Sequence, residues 1–230
     1  MHHKIWVVIP AAGSGQRFSQ TELKQYQMIQ GKTVLEHTVA RLNTLALSGY
    51  VLAISADDLV AKSLNFVQAD KAHFCMGGAE RVYSVLNALT YLSQIVSLDD
   101  WVLVHDAARP CVTQACLARL LSSVIQEDCS AILAIPVRDT LKYVGHRHTI
   151  DKTVNRESLW QAQTPQISKL GVLKGAIEKA LQDGQHITDE ASALEYVGET
   201  VKVVQGRSDN IKITYMDDLE LARLILTAQK

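Results

Sequence analysis

Residues 5–18 read Ile5-Trp6-Val7-Val8-Ile9-Pro10-Ala11-Ala12-Gly13-Ser14-Gly15-Gln16-Arg17-Phe18. The apolar, largely β-branched opening suits a strand buried on both faces of a parallel sheet. A glycine loop follows it, and Gly13 and Gly15 can adopt conformations that turn backbone N–H groups toward an anion. A phosphate is the natural ligand for such a loop. Arg17 adds a cation beside it.

Two better-known phosphate motifs fail on spacing. A dinucleotide fingerprint requires a third glycine at position 18, where Phe18 stands. Gly31-Lys32-Thr33 resembles the end of a P-loop, but the first glycine of that motif would fall at Tyr26. Thr33 and Glu36 instead form a T-x-x-E capping box that opens the apolar-periodic run Val34, Leu35, Thr38, Val39, Leu42.

Outward from this stretch, strand-like runs at 4–9, 50–55, 73–76, 101–104, 130–135, 201–204 and 210–214 alternate with helical periodicity at 33–46, 58–68, 80–94, 113–127, 169–183, 188–197 and 216–229. Such alternation predicts an α/β fold, a mostly parallel sheet with helices on both faces. The chain of 230 residues, 47% hydrophobic, can bury roughly 70% of its unfolded surface and is read as one domain spanning 1–230. Residues 137–155 break the rhythm as a polar hairpin around Val144-Gly145-His146. A hairpin so poor in apolar residues is marginal alone and is expected to pack on something, plausibly a second subunit, unless it is a solvated excursion.

Charge and cysteines narrow the function. The 23 basic and 24 acidic residues nearly cancel, so no global field favours nucleic acid or an anionic membrane. Cys75, Cys111, Cys116 and Cys129 show no C-x-x-C spacing, and no long apolar run is present, which predicts a cytoplasmic protein without membrane contact. A Ser–His–Asp hydrolase is disfavoured, because no G-x-S-x-G occurs.

Ligands of open α/β sheets bind beyond the carboxyl ends of the strands, so strand ends map the site. The first delivers Gly13, Ser14, Gly15 and Arg17, with Lys24 soon after. The third ends in Gly77-Gly78 before Glu80, Arg81 and Ser84, the fourth in His105-Asp106-Ala107-Ala108-Arg109, and Arg207-Ser208-Asp209-Asn210-Ile211-Lys212 lies near the end of the chain. This mixture of donors, cations and carboxylates suits a metal–nucleotide site. Arg17 and Lys24 would neutralise a triphosphate, while Asp106 and Asp209 would hold Mg²⁺. Each has a bland alternative as a helix cap or a surface ion pair. His105 is read as fixing the Asp106 loop rather than as a base, since a phosphomonoester attacking a phosphate needs none.

PAAGSGQRF, LKQY, GGAERVYSV, VLVHDAARP, PVRDTLK, TVNRESLWQAQTPQ, TDEASALEY and GRSDNIKIT together resemble the 2-C-methyl-D-erythritol 4-phosphate cytidylyltransferases. The resemblance covers nearly the whole chain. It implies a Rossmann-like nucleotidyltransferase fold with a projecting arm at 137–155, a homodimer, and Mg²⁺-dependent transfer of a cytidylyl group from CTP to the polyol phosphate in non-mevalonate isoprenoid synthesis. It also implies that Ala11, Ala12, Gly13, Ser14, Gly15, Gly77, Gly78, Ser84 and Ala107 hold CTP. Arg17 and Lys24 would stabilise the transition state, Asp106 and Asp209 would lie at the metal, and Arg109, Thr140, Arg156, Thr188 and Lys212 would surround the second substrate. Leu23 stands where the family usually has proline, and Asn155 where it commonly has aspartate. A cytidylyltransferase for another polyol phosphate, such as ribitol 5-phosphate, and a non-catalytic nucleotide-binding regulator are the alternatives.

Overall fold

The computed structural model describes residues 4–13, 15, 17–19, 21–146 and 148–229. Its strands are β1 (Ile5–Pro10), β2 (Met28–Ile29), β3 (Lys32–Thr33), β4 (Gly49–Ile54), β5 (Ala72–Met76), β6 (Trp101–Val104), β7 (Ser130–Pro136), β8 (Leu141–Val144), β9 (Ile150–Val154), β10 (Trp160–Lys169) and β11 (Val201–Gln205). The helices are α1 (Val34–Leu42), α2 (Leu59–Ser63), α3 (Arg81–Ser93), α4 (Gln114–Glu127), α5 (Leu170–Gln182), α6 (Glu190–Tyr196) and α7 (Met216–Ala228). Seven strands form one sheet in the order β11-β7-β10-β6-β1-β4-β5. Every pairing is parallel except those that β10 makes with β6 and β7.

The period-two alternation of β1 explains why both faces of the sheet are covered. Val7 and Ile9 join Leu35, Val39, Leu103 and Leu117 on one side. Val8 joins Val85, Leu89, Val102 and Leu173 on the other. All of these side chains are essentially withdrawn from water, and the resulting rigid slab carries the loops at its carboxyl edge.

The local reading at Thr33 holds: its hydroxyl accepts from Glu36 N (3.1 Å) and its N–H donates to Glu36 Oε2 (2.7 Å). Gln30 and Gly31, both with positive φ, make the tight turn between β2 and β3 that precedes this cap. Elsewhere the structure departs from the expected elements. Residues 210–214 are not a strand, because side-chain cations take the carbonyls that a ladder would use: Arg109 Nη1 donates to Asn210 O (2.7 Å) and Lys24 Nζ to Ile213 O (2.9 Å). The helix expected over 58–68 is only α2, since the extended Leu64 ends it. The hairpin of β8 and β9 is present, with Tyr143, Val144 and Ile150 exposed. Among the described residues no helix is long and apolar enough to cross a membrane.

Candidate active site

Where β1 ends, Ala11 N still donates to Ala53 O (2.8 Å), and the chain then leaves the sheet. Gly15 has φ +62°, and Phe18 N closes the turn on Gly15 O at 2.7 Å. Phe18 then buries its ring against Ile29, Val34, Ala108, Cys111 and Ile213. This anchors the far side of the glycine loop.

Lys24 begins a single 3₁₀ turn over Lys24–Tyr26 that is tied at both neighbours. Gln25 Nε2 donates to Ala11 O (3.0 Å), and Tyr26 Oη bonds to the Asp58 carboxylate, which also caps α2. These ties hold the turn without a proline at Leu23. Lys24 Cγ lies 3.5 Å from where a Cβ on Gly15 would stand, so the lysine stem runs along the glycine loop. Burial, and then the charge of Lys212, push the Lys24 ammonium below its ordinary value, against the opposing pull of Asp106.

The second glycine pair sits at the end of β5. A Cβ on Gly77 would stand 2.3 Å from Ala12 Cβ, so only glycine lets this segment press on the first loop. Gly78 N donates to Ser84 Oγ (3.0 Å) in the first turn of α3.

Asp106 is the hub. Its Oδ1 accepts from Arg81 Nε (2.9 Å), and its Oδ2 accepts from Lys212 Nζ (2.9 Å) and, at 3.4 Å, from Arg109 Nε. Burial alone would raise its carboxyl, but Arg81, Lys212 and Arg109 outweigh that and hold it far below the carboxylate range. Arg81 in turn forks onto Glu190, with Nη1–Oε1 at 2.6 Å and Nη2–Oε2 at 3.0 Å. His105 is fully buried between Thr164 Oγ1 and Arg109 O, both 3.0 Å away. Burial lowers its imidazole to about 4, so it is neutral near pH 7 and serves as a strut. The same Thr164 hydroxyl accepts from Asp106 N (3.0 Å).

Two cavities meet at this hub. The first is lined by Ala11, Gly13, Lys24, Gly78, Ser84 and Ala107, and the second by Arg109, Gln163, Thr164, Thr188 and Asp189. Arg81, Asp106 and Lys212 line both, so they form a charged partition.

Residues 5–228 match the sequence profile described as 2-C-methyl-D-erythritol 4-phosphate cytidylyltransferase. The chain belongs to that family. A curated relative from Acinetobacter baumannii is 68% identical over 234 residues, covering 100% of this chain and 98% of its own. One from Vibrio vulnificus is 47% identical over 97% of this chain and 94% of its own; both carry the family's name. Among solved structures, the Francisella tularensis cytidylyltransferase superposes with TM-score 0.83 at 37% identity, covering 96% of this chain and 99% of that one. The Thermus thermophilus enzyme gives 0.81 at 31% identity, covering 97% and 99%.

Against this family frame, the expected site residues fall into groups. Ala11, Gly13, Gly78, Ser84, Ala107 and Lys24 line the first cavity, Arg109 and Thr188 the second, and Lys212 both. Ala12, Gly15 and Gly77 back the first cavity through the contacts above. Arg17 is exposed on the loop, and its charge is felt at Lys24. Ser14 lies outside the described residues. Thr140 and Arg156 lie at the base of the arm, exposed and lining neither cavity, with Arg156 Nη1 on Arg138 O. Asn155 Oδ1 accepts from Glu157 N (3.0 Å), which shapes the turn after Arg156.

Asp209 stands apart from the partition. It pairs with Arg207 (2.8 and 2.7 Å) and accepts from Gln229 Nε2 (3.2 Å), and it lines neither cavity. Two residues downstream of an arginine, its carboxylate is taken locally, and it does not join Asp106. Sequence reasoning counted Arg81 among the strand-end groups without a role of its own, and did not single out Glu190, Gln163 or Thr164. Arg81 and Glu190 are 109 positions apart. Gln163 and Thr164 reach the cavity through a register shift in β10 between Ala162 and Gln166.

Proposed function

We propose that the chain transfers the cytidylyl group of CTP to 2-C-methyl-D-erythritol 4-phosphate, releasing pyrophosphate and the CDP-linked alcohol. The observation that carries this reading is the partition: two cavities, one behind a glycine loop and one lined by Arg109 and Thr188, share Arg81, Asp106 and Lys212. The nucleotide occupies the first cavity, with backbone donors of the loop on its phosphates and Ser84 and Ala107 beside it. The polyol phosphate occupies the second. A phosphate oxygen approaching from there attacks the α-phosphorus in line, with pyrophosphate leaving along the glycine loop toward Lys24 and Arg17. Positioning and charge compensation supply the catalysis.

Mg²⁺ is commonly bound by one or two carboxylates together with substrate phosphates; Asp106 is the carboxylate at the partition, and it would hold the ion only if Lys212, 36% exposed, gave up its place on Oδ2. Asp209 would not contribute. When bound, the ion would offset the repulsion between Asp106 and the triphosphate and polarise the reacting phosphate.

Thr140 and Arg156 are assigned to the second cavity of a partner subunit. Support comes from the arm, whose Tyr143, Val144 and Ile150 are 58%, 48% and 63% exposed and call for a covering surface. A symmetric pair would bury both arms and complete two composite sites. Residues 1–230 then act as one nucleotidyltransferase domain. Its four free cysteines suit a reducing cytoplasm.

The decisive assay incubates the protein with CTP, Mg²⁺ and, separately, 2-C-methyl-D-erythritol 4-phosphate or ribitol 5-phosphate, and follows pyrophosphate. Release with the first alone is expected. Release only with ribitol 5-phosphate, or with neither, overturns the assignment.

A further inference from the structure

Arg81 spends three nitrogens on two carboxylates: Nε on Asp106, and Nη1 and Nη2 on Glu190. Glu190 is 3% exposed, lines neither of the two cavities that meet at Asp106 but a smaller one beside Thr188 and Asp189, and both its carboxylate oxygens bond to Arg81. Planar fork-to-fork pairing of this kind fixes the guanidinium in orientation as well as in place. The position of Glu190 is itself secured. Asp189 caps α6 on Ser192 N (3.0 Å), while Gln166 donates to Asp189 Oδ2 (2.9 Å) and accepts from Ala191 N (2.8 Å). Because Gln166 pairs with Val104 in the central sheet, the brace runs from the slab through Glu190 and Arg81 to one oxygen of Asp106. The other oxygen is shared by Arg109 and the partly exposed Lys212.

We infer that Glu190 is a positioning residue for cytidylyl transfer: it locks Arg81, and Arg81 locks the Asp106 carboxylate in the plane of the partition between the two cavities. The inference rests on the proposed activity. Three of the five N–H groups of Arg81 are taken by the two carboxylates, so these set the orientation of the guanidinium, and with it that of Asp106. The chemistry requires charge and two oxygens at Glu190. A glutamine at the same place presents an NH₂ to one of the Arg81 donors and breaks the fork, although its volume is unchanged. An aspartate keeps both oxygens on a shorter stem.

The test measures kcat and both KM values by pyrophosphate release, alongside circular dichroism and thermal melting, for Glu190→Gln and Glu190→Asp. Misplacing a catalytic group by about 1 Å costs on the order of 10²-fold, so Glu190→Gln is expected to lower kcat by roughly that factor with each KM within about threefold of the parent. Glu190→Asp should retain more activity than Glu190→Gln, the reverse of what packing volume alone would give. Arg81→Met and Arg81→Met with Glu190→Met should share one kcat, because a Glu190 without its guanidinium has nothing to position. That comparison decides the matter if Glu190→Gln does not fold. A folded Glu190→Gln with kcat within about threefold of the parent, glutamine outperforming aspartate, or a further loss on adding Glu190→Met to Arg81→Met each overturns the inference. If the parent itself releases no pyrophosphate, the proposed activity is what has failed.

Discussion

Replacing Asp106 with asparagine removes the one negative charge that Arg81, Lys212 and Arg109 share. Removing one partner of a buried ion pair costs about 3–5 kcal/mol, because the charge left behind is uncompensated. Here two circumstances favour the lower end. The asparagine oxygen still accepts from one cation, and the Lys212 side chain, 36% exposed, can turn into solvent. A loss of about 3 kcal/mol in a chain of this size lowers the melting temperature by roughly 6–12 °C. The effect carries a pH signature. The Asp106 carboxyl is held below its ordinary value by three cations despite its burial. Its contribution is therefore full above its unfolded pKa of about 3.9 and fades as pH falls below that toward the folded value. The gap between parent and Asp106→Asn, read by melting curves without nucleotide or metal, should be constant from about pH 7 to pH 5 and narrow below about pH 4. An unchanged melting temperature at neutral pH, or a gap that widens in acid, would refute the reasoning.

Lys24→Ala should lower kcat by about 10²–10³-fold with an unchanged circular dichroism spectrum. Because burial lowers the Lys24 ammonium of the free protein, the alkaline decline of the parent's kcat/KM for CTP should begin below the ordinary lysine value of about 10.4. Lys24→Arg should move that decline upward in pH, and a decline at the same pH in both proteins would count against Lys24. Asp209→Asn should leave the Mg²⁺ activation curve in place, and a large rise in the Mg²⁺ concentration required would restore Asp209 to the metal site. Mixing inactive Arg17→Ala subunits with inactive Arg156→Ala subunits should regenerate activity through heterodimers with one intact site. Exchange seen by mass spectrometry without recovered turnover would remove Arg156 from the partner's cavity.

What could be read from the residues was what depends on near neighbours. The β-branched run of β1, the T-x-x-E cap at Thr33 and the glycines behind strand ends each act over a few positions, and the structure has them where expected. β10 was invisible for a physical reason. Its polar residues and Pro165 argue against a central strand, and the structure absorbs them with a shift of register that points Gln163 and Thr164 out of the ladder. The run at 210–214 misled in the opposite sense, since its alternation of apolar residues serves the cluster around Ile213 while cations satisfy its carbonyls. Asp106 was legible at a strand end, but its brace was not, because nothing local links Arg81 to a glutamate beyond a hundred intervening residues.

The two lysines of the cleft rest on unlike partners. Lys24 waits on a neutral carbonyl, that of Ile213, whereas Lys212 waits on the Asp106 carboxylate. Recruiting the first to an incoming anion forfeits a single charge-assisted hydrogen bond to an uncharged acceptor, worth about 1.5–3 kcal/mol. Recruiting the second means parting opposite charges. Lys24 is therefore the readier of the two to meet an incoming phosphate, while Lys212, which lines both cavities, does so only by loosening its hold on Asp106.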